Sequence, residues 1–299
     1  MDRTPISRNL GRVLAILAIA AAQPSVAQSP SVRQASFDKG VRACAAGKYA
    51  AAASLFEAAT AGQANSDDAL RHLAAARTWM CKRFVGPLPI SVGKKAEEAL
   101  NKILSADSHD ASAITAMGVV KFFEAAGNKT FADNLPKLDE ARTWFERALA
   151  QDPSRPDTMY ALAVVDFHKA FSQIQARMKP AEWNGPITDP NRRREMGEVQ
   201  HLLEGAITRL NRLTATDRAD SYALTYLSLA LRQKALFAPD AAEYHREMDA
   251  AEEFFTRALD ASKPAAGLKA AQTCELSAGI GYALEPPPPP PPPPPPRGI

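Results

Sequence analysis

The fold of this chain is decided by the stretch Ala141-Arg-Thr-Trp-Phe145-Glu-Arg-Ala148-Leu-Ala-Gln-Asp152-Pro153. Offsets of four and three residues place Ala141, Phe145 and Ala148 on one face of a helix. The two alanines allow a neighbouring helix to come close, and the Phe145 ring fills the space beside them. Pro153 cannot continue the helix and disfavours the helical conformation at the residue before it, so we expect the helix to stop there.

The same pattern recurs along the chain at a nearly regular spacing. The alanines that open each copy stand at positions 52, 96, 141, 206 and 251, in steps of 44, 45, 65 and 45 residues. In the first copy a small residue, Gly40, comes first, and a Gly-x-Tyr turn at 47–49 and an Ala-x-x-x-Phe-x-x-Ala helix at 52–59 follow it. Repeats of this kind predict an array of helix pairs, because each pair buries its core against its neighbours.

This unit resembles the tetratricopeptide repeat, a helix pair with a usual period of about 34 residues. The resemblance covers residues 31–263 and implies an all-α chain, a right-handed α-solenoid of about five tetratricopeptide-like helix pairs. The whole array is similar to exported, long-loop tetratricopeptide proteins of environmental bacteria such as acidobacteria. A period near 45 residues also fits HEAT-like units, which remain the alternative fold.

The residues in excess of the usual period fall between the two helices of each unit, at 85–93, 127–137, 172–191 and 237–243. Inserts at one point of a repeat map to one edge of the stack, where loops often carry function. The longest insert contains Trp183 among three prolines. We expect Trp183 either to anchor the loop on the helices or to contact a partner, since tryptophan is enriched at binding hot spots.

The N-terminus predicts a secretory signal peptide over residues 1–27. Three arginines precede an apolar run of ten residues at 13–22, and Ser25-Val26-Ala27 offers small residues for cleavage after Ala27. The run is too short to span a bilayer, which needs about 20 apolar residues. We therefore expect a periplasmic or secreted protein with no transmembrane segment after signal cleavage.

Charge and motifs bound the function. Thirty-six basic residues against 33 acidic ones give a net charge of +3, which argues against nucleic acid as the main partner. The five histidines are scattered and show no metal-ligand spacing, and no phosphate loop or nucleophile motif is present. The sequence therefore predicts no metal, no cofactor and no catalytic residues.

In tetratricopeptide arrays the first helices line a concave surface, so this resemblance implies a partner groove. Projecting the repeat onto this chain places ten mainly apolar residues there: Phe37, Val41, Thr115, Val119, Phe122, Tyr160, Val164, Phe167, Tyr222 and Leu229. The alternative is that several of them are core between helices. The positions that clamp a C-terminal carboxylate in the family are not Lys or Asn here, so we expect an apolar helix or extended segment as ligand.

The resulting prediction is a non-catalytic protein- or peptide-binding scaffold in the cell envelope. One alternative is a helical-solenoid hydrolase or lyase with its site among the long loops. Another is a structural envelope spacer that uses the proline-rich end of the chain as a strut.

The last part of the chain divides into a cap or linker at 264–285 and a polyproline tail at 286–299. Eleven consecutive prolines favour polyproline II, about 34 Å long, either as a stiff spacer or as a ligand for an aromatic-lined partner. The three cysteines leave at least one unpaired within the chain. Cys44 and Cys81 lie in successive first helices and are either a disulfide or two small buried residues, with Cys274 free or paired between chains.

Overall fold

A computed structural model describes residues 29–61, 67–82, 88–126, 131–178, 185–215, 220–261 and 265–286. Within these ranges the chain is helical, with no strand, and each helix packs against its neighbours in sequence. The helices are α1 (Pro30–Ala45), α2 (Tyr49–Thr60), α3 (Asp67–Lys82), α4 (Ile90–Ala106), α5 (Ala111–Ala125), α6 (Phe131–Gln151), α7 (Pro156–Arg177), α8 (Pro190–Glu195), α9 (Gly197–Thr214), α10 (Ser221–Ala235), α11 (Ala241–Asp260) and α12 (Ala265–Thr273). Two short 3₁₀ turns follow, at Leu276–Ala278 and Ile280–Ala283.

The contact between a glycine and an aromatic ring is repeated in two of the helix pairs. A β-carbon at Gly40 of α1 would lie 2.6 Å from the Phe56 ring of α2, and one at Gly118 of α5 would lie 2.6 Å from the Phe145 ring of α6. Both rings are fully buried. A glycine in the first helix therefore lets the aromatic ring of the second helix seat against its backbone, as the small-residue pattern predicts. The all-α fold is confirmed.

The first eleven residues of the stretch at 141–153 form the second half of α6. Its three interface residues, Ala141, Phe145 and Ala148, are completely buried. The helix ends at Gln151, and Asp152 then accepts hydrogen bonds from Ser154 in the following turn.

Helix α1 begins at Pro30, because Ser29 caps its first turn by accepting from the Val32 N–H and Pro30 fits the first helical position. Parts of the predicted inserts at 127–137 and 172–191 are also helical. Helix α6 begins at Phe131 and includes Pro136, and α7 continues to Arg177. Within the longest insert, helix α8 begins at Pro190, and the Asp189 carboxylate caps it by accepting from the Asn191 N–H.

After α11 the described chain folds back towards the first described helix. Helix α12 packs on α1, and a disulfide joins Cys44 of α1 to Cys274, with 6.0 Å between their α-carbons. The candidate bond between Cys44 and Cys81 is therefore wrong, as is a free or intermolecular Cys274, and Cys81 is a buried free thiol. Spacing within the repeats could not reveal this pairing, because it depends on how the chain folds back after the last repeat.

Candidate functional site

After Cys274, residues 276–285 (the C-terminal segment) run across helices that come first in successive pairs, called the first helices. The 3₁₀ turns of the segment contact α3, α5 and α7, and Gly279 takes a left-handed φ of +106° between them. At the start of α7 the Asp157 carboxylate accepts from the Gly281 N–H at 3.1 Å. The approach is close, because a β-carbon at residue 281 would lie 2.2 Å from the Asp157 carbonyl oxygen. Only glycine fits there without displacing the backbone.

Tyrosine hydroxyls hold the end of the segment. Tyr160 donates to the Leu284 carbonyl at 2.5 Å, and Tyr226 donates to the Glu285 carbonyl at 3.2 Å. Tyr222 donates to the Glu285 carboxylate at 2.6 Å. Burial raises the pKa of all three phenols above the usual value, so they stay protonated and remain donors. Two of these bonds reach backbone carbonyls, which any extended peptide would offer.

The apolar side chains of the segment are part of the core. Leu276, Ile280 and Leu284 are no more than 1 % exposed, and the Tyr282 ring lies 5.0 Å from the Tyr160 ring. At the exposed edge, Glu285 forms an ion pair of 2.5 Å with Lys82 of α3. The segment therefore fills the face of the first helices along this part of the array.

Next to Glu285 the same face forms a cavity of about 690 Å³. This volume lies within the range of small-ligand and side-chain pockets. This cavity, called the pocket from here on, has mainly apolar walls. Its lining comes from α5, α7, α10 and α11, from the residues that directly follow α5 and α10, and from the C-terminal segment: Phe122, Ala126, Phe167, His168, Phe171, Tyr226, Leu229, Arg232, Gln233, Leu236, Tyr244, Met248 and Glu285.

Aromatic rings of α5, α7 and α10 form one wall of the pocket. The Phe167 ring stacks on Phe171 at 6.1 Å, with only 9° between their planes, and meets Tyr226 edge-on at 5.4 Å. Phe122 packs edge-on against His168 at 5.2 Å. Aromatic rings of this kind provide a contact surface for apolar groups, including proline rings and aliphatic side chains.

Few polar groups face this wall. The His168 ring lies 3.2 Å from the Tyr226 hydroxyl, and its apolar surroundings lower its pKa to about 4, so it is neutral at physiological pH. Arg232 forms an ion pair of 2.5 Å with Glu252. The buried Gln233 carbonyl oxygen accepts no hydrogen bond from the described part of the chain. The pocket therefore offers a mainly apolar surface with few polar groups.

The ten residues projected onto the groove divide into three sets. Phe122, Phe167 and Leu229 line the pocket, and Tyr160 and Tyr222 hold the C-terminal segment. The other five lie elsewhere in the fold: Thr115, Val119 and Val164 are fully buried, and Phe37 and Val41 are half-buried on α1.

The buried and distant positions have local roles. The Thr115 hydroxyl lies 2.7 Å from that of Thr158, which joins α5 to α7. The Phe37 ring packs edge-on against Phe56 at 5.6 Å and His72 at 4.8 Å, within the first two units. These residues connect neighbouring helices, and the pocket is formed by other positions nearer the end of α7.

The pocket also includes residues that the sequence analysis missed. Phe171 follows Phe167 by one helical turn, so the i, i+4 spacing was available as a signal. Tyr244 and Met248 share the same spacing on α11, which the repeat pattern assigns to second helices rather than to the groove. The contribution of Glu285 arises only from the fold-back of the C-terminus.

The longest insert reaches the edge of the pocket. Its described end returns to α10, where the Ile187 N–H donates to the carbonyl oxygen of Leu236 at 2.7 Å. Leu236 lines the pocket. Trp183 itself lies outside the described residues. The described end of the insert therefore lies at the edge of the pocket, and both interpretations of Trp183 stay predictions.

Charged groups elsewhere in the fold pair with each other. The buried Asp166 carboxylate accepts from Arg142 and from Arg209, each at 2.8 Å, which ties α7 to the helices on either side of it. In the described ranges, no group of three or more His, Cys, Asp or Glu side chains is arranged to hold a metal ion.

Fold and site together define an all-helical array of packed helix pairs with an apolar pocket on the face of its first helices. Comparison of the sequence with protein-family models and with curated proteins finds no match. Among the described helices, none combines the length and the apolar character needed to cross a bilayer.

Proposed function

We propose that this protein is a non-catalytic scaffold of the cell envelope that binds a protein or peptide partner in the pocket. The observation that carries the proposal is the C-terminal segment, a stretch of polypeptide lying on the face of the first helices. The hydroxyls of Tyr160 and Tyr226 donate hydrogen bonds to backbone carbonyls of this segment. Hydrogen bonds to the main chain are also a common way in which a protein surface binds a peptide. The pocket continues the same face and is unfilled by the described residues.

The expected ligand is an extended segment with aliphatic or aromatic side chains. The aromatic wall around Phe167 favours such side chains. A net charge of +3 on the chain supplies no strong field for a highly charged partner. Shape and apolar area, rather than charge, would set the affinity.

The rest of the proposal follows from the sequence. We assign the helix pairs to the tetratricopeptide type in a right-handed solenoid, and the first 27 residues to a signal peptide that directs the chain to the periplasm or out of the cell. Residues 1–27 lie outside the described ranges. The disulfide between Cys44 and Cys274 fits an oxidising compartment of that kind.

A displayed-peptide selection on the immobilised full-length protein tests the proposal. A matched pair of variants separates pocket binding from surface binding. Leu229→Lys puts a charge on the half-buried edge of the pocket, and Leu259→Lys makes the same change at a site that is 62 % exposed and away from it. We expect enriched peptides rich in apolar residues that bind the wild-type and Leu259→Lys proteins and lose binding to Leu229→Lys. Peptides that bind all three proteins equally, or the absence of any enriched peptide, would contradict pocket binding.

A further inference from the structure

The pocket begins where the described chain ends. Glu285 lines the pocket, and Pro286, the next residue, is the last one described. The Glu285 carbonyl is fixed by the Tyr226 hydroxyl at 3.2 Å, and its carboxylate is held by Tyr222 and Lys82. The residue that directly precedes the polyproline run is therefore fixed at the edge of an apolar cavity.

The direction of the chain points into this cavity. Along α7, Asp157 contacts Gly281 and Tyr160 contacts Leu284, so the C-terminal segment advances from the N-terminus of the helix towards its C-terminus. At a rise of about 1.5 Å per residue, the pocket residue Phe167 lies about 10 Å beyond Tyr160 on the same helix. The direction of the C-terminal segment at Leu284 is therefore towards the aromatic wall.

Helix α10 shows the same progression. Tyr222 and Tyr226 hold Glu285, and the next residues of α10 in the pocket are Leu229, Gln233 and Leu236. From Tyr226 to Leu236 is about 15 Å along the helix. Along both α7 and α10, the pocket therefore lies further in the direction in which the C-terminal segment runs.

We propose that the first prolines of the chain's own tail, from Pro286 to about residue 290, occupy the pocket as a polyproline II helix in the same molecule. At about 3.1 Å per residue, five prolines span about 15 Å, which matches the length of the pocket along α10. Six more prolines and three further residues follow these five in the sequence. This inference rests on the proposed function, because it names an intramolecular competitor for the same pocket.

The chemistry of the pocket suits proline. Polyproline segments dock on surfaces lined by aromatic rings, and their preformed conformation loses little entropy on binding. A proline chain has carbonyl acceptors and no N–H groups, so a mainly apolar wall leaves no donor unsatisfied.

Attachment to Glu285 gives the tail an advantage over a separate ligand. A short tether corresponds to an effective concentration of about 1 mM, so even a weak intrinsic affinity of about 100 µM keeps the pocket mostly occupied. An external ligand must displace the tail, and at those values its apparent affinity falls about tenfold. The tail therefore raises the affinity that a partner needs in order to occupy the pocket.

Binding of a fluorescein-labelled peptide of eleven prolines to two full-length proteins tests this inference. One protein is the wild type, and in the other residues 287–296 are replaced by alternating glycine and serine of the same length. We expect the peptide to bind the glycine–serine protein about tenfold more tightly than the wild type by fluorescence anisotropy. Adding Leu229→Lys to the glycine–serine protein should abolish binding, and adding Leu259→Lys should not.

Three results would overturn the inference. Equal binding to both proteins means that the tail does not occupy the pocket of its own chain. No binding to either means that the pocket does not accept polyproline. A wild-type dimer in sedimentation that becomes monomeric on the glycine–serine replacement means that the tail docks in a second copy. The peptide selection, repeated on the glycine–serine protein, separates the two proposals: enriched peptides that Leu229→Lys abolishes would preserve the proposed function even if polyproline fails to bind.

Discussion

Gly281 offers the sharpest test of how the C-terminal segment is held. In a Gly281→Ala protein the new β-carbon would lie 2.2 Å from the Asp157 carbonyl oxygen and 2.6 Å from the carbonyl carbon. Both atoms belong to the backbone at the start of α7, so neither can rotate away. The segment itself has to move until the contact reaches about 3.4 Å, where ordinary van der Waals contact begins.

That movement has a calculable cost. It lengthens the bond of 3.1 Å between the Gly281 N–H and the Asp157 carboxylate, and a buried hydrogen bond to a charged group is worth about 1.5–3 kcal/mol. Overpacking in a tight site adds about 1–3 kcal/mol. We therefore expect the segment to be destabilised by about 4 kcal/mol relative to the rest of the array.

Hydrogen exchange measured by mass spectrometry on the full-length protein reads this out locally. A loss of about 4 kcal/mol corresponds to roughly a thousandfold faster exchange of the amides at 276–285 if they exchange by local opening. The matched control is Gly197→Ala in α9, where an added β-carbon meets nothing within 4 Å and should be neutral or stabilising. Unchanged exchange at 276–285 in Gly281→Ala would refute the claim that close backbone approach holds the segment in place.

Three further predictions concern the disulfide, the repeated glycine contact and the pocket histidine. Replacing Cys44 and Cys274 together by serine should lower the free energy of unfolding by up to about 5 kcal/mol, because the disulfide spans 230 residues and restricts the unfolded chain. Urea denaturation checks this, and the reduced wild type should match the double variant; identical midpoints for all three proteins would exclude the effect. Gly118→Ala should cost about 1–3 kcal/mol in thermal denaturation, since its β-carbon would lie 2.6 Å from the Phe145 ring, and an increase in stability would contradict the packing described. His168 should make folding pH-dependent: its pKa is lowered by burial from 6.5 to about 4, so the unfolded chain takes up the proton first and stability declines as pH falls from about 6.5 to 4, by up to about 3 kcal/mol. In urea denaturation His168→Gln should lose less stability than the wild type between pH 7 and 4.5, and an equal loss would show that other groups carry the whole dependence.

The helix array could be predicted because its causes are local and repeated. Gly40 with Phe56 and Gly118 with Phe145 form the same contact, and in both copies the ring follows an alanine by four residues, so each copy supports the interpretation of the other. Helix limits were less predictable. Pro136 suggests a loop, yet it lies inside α6, because the burial of the helix face beyond it outweighs the loss of one hydrogen bond.

The site was predictable only in part. Phe122, Phe167 and Leu229 were placed from the repeat, and they line the pocket. The residues that hold the C-terminal segment act across about 60 to 124 positions of sequence, as in the bond from Tyr160 to Leu284. No periodicity links such positions, and the 3₁₀ turns are too short to carry a pattern of their own.

The fold-back also changes where the array is expected to be weakest. In a simple stack of helix pairs the terminal units have one neighbour each and open first. Here the first unit gains a second neighbour, because α12 packs on α1 and the Cys44–Cys274 bond fixes the two together. The pair of α10 and α11 is held to the C-terminal segment by hydrogen bonds from Tyr222 and Tyr226 to Glu285, and both helices contribute to the wall of the pocket. Local opening should therefore concentrate at the pocket end of the array, where a ligand that fills the cavity would stabilise the unit that binds it.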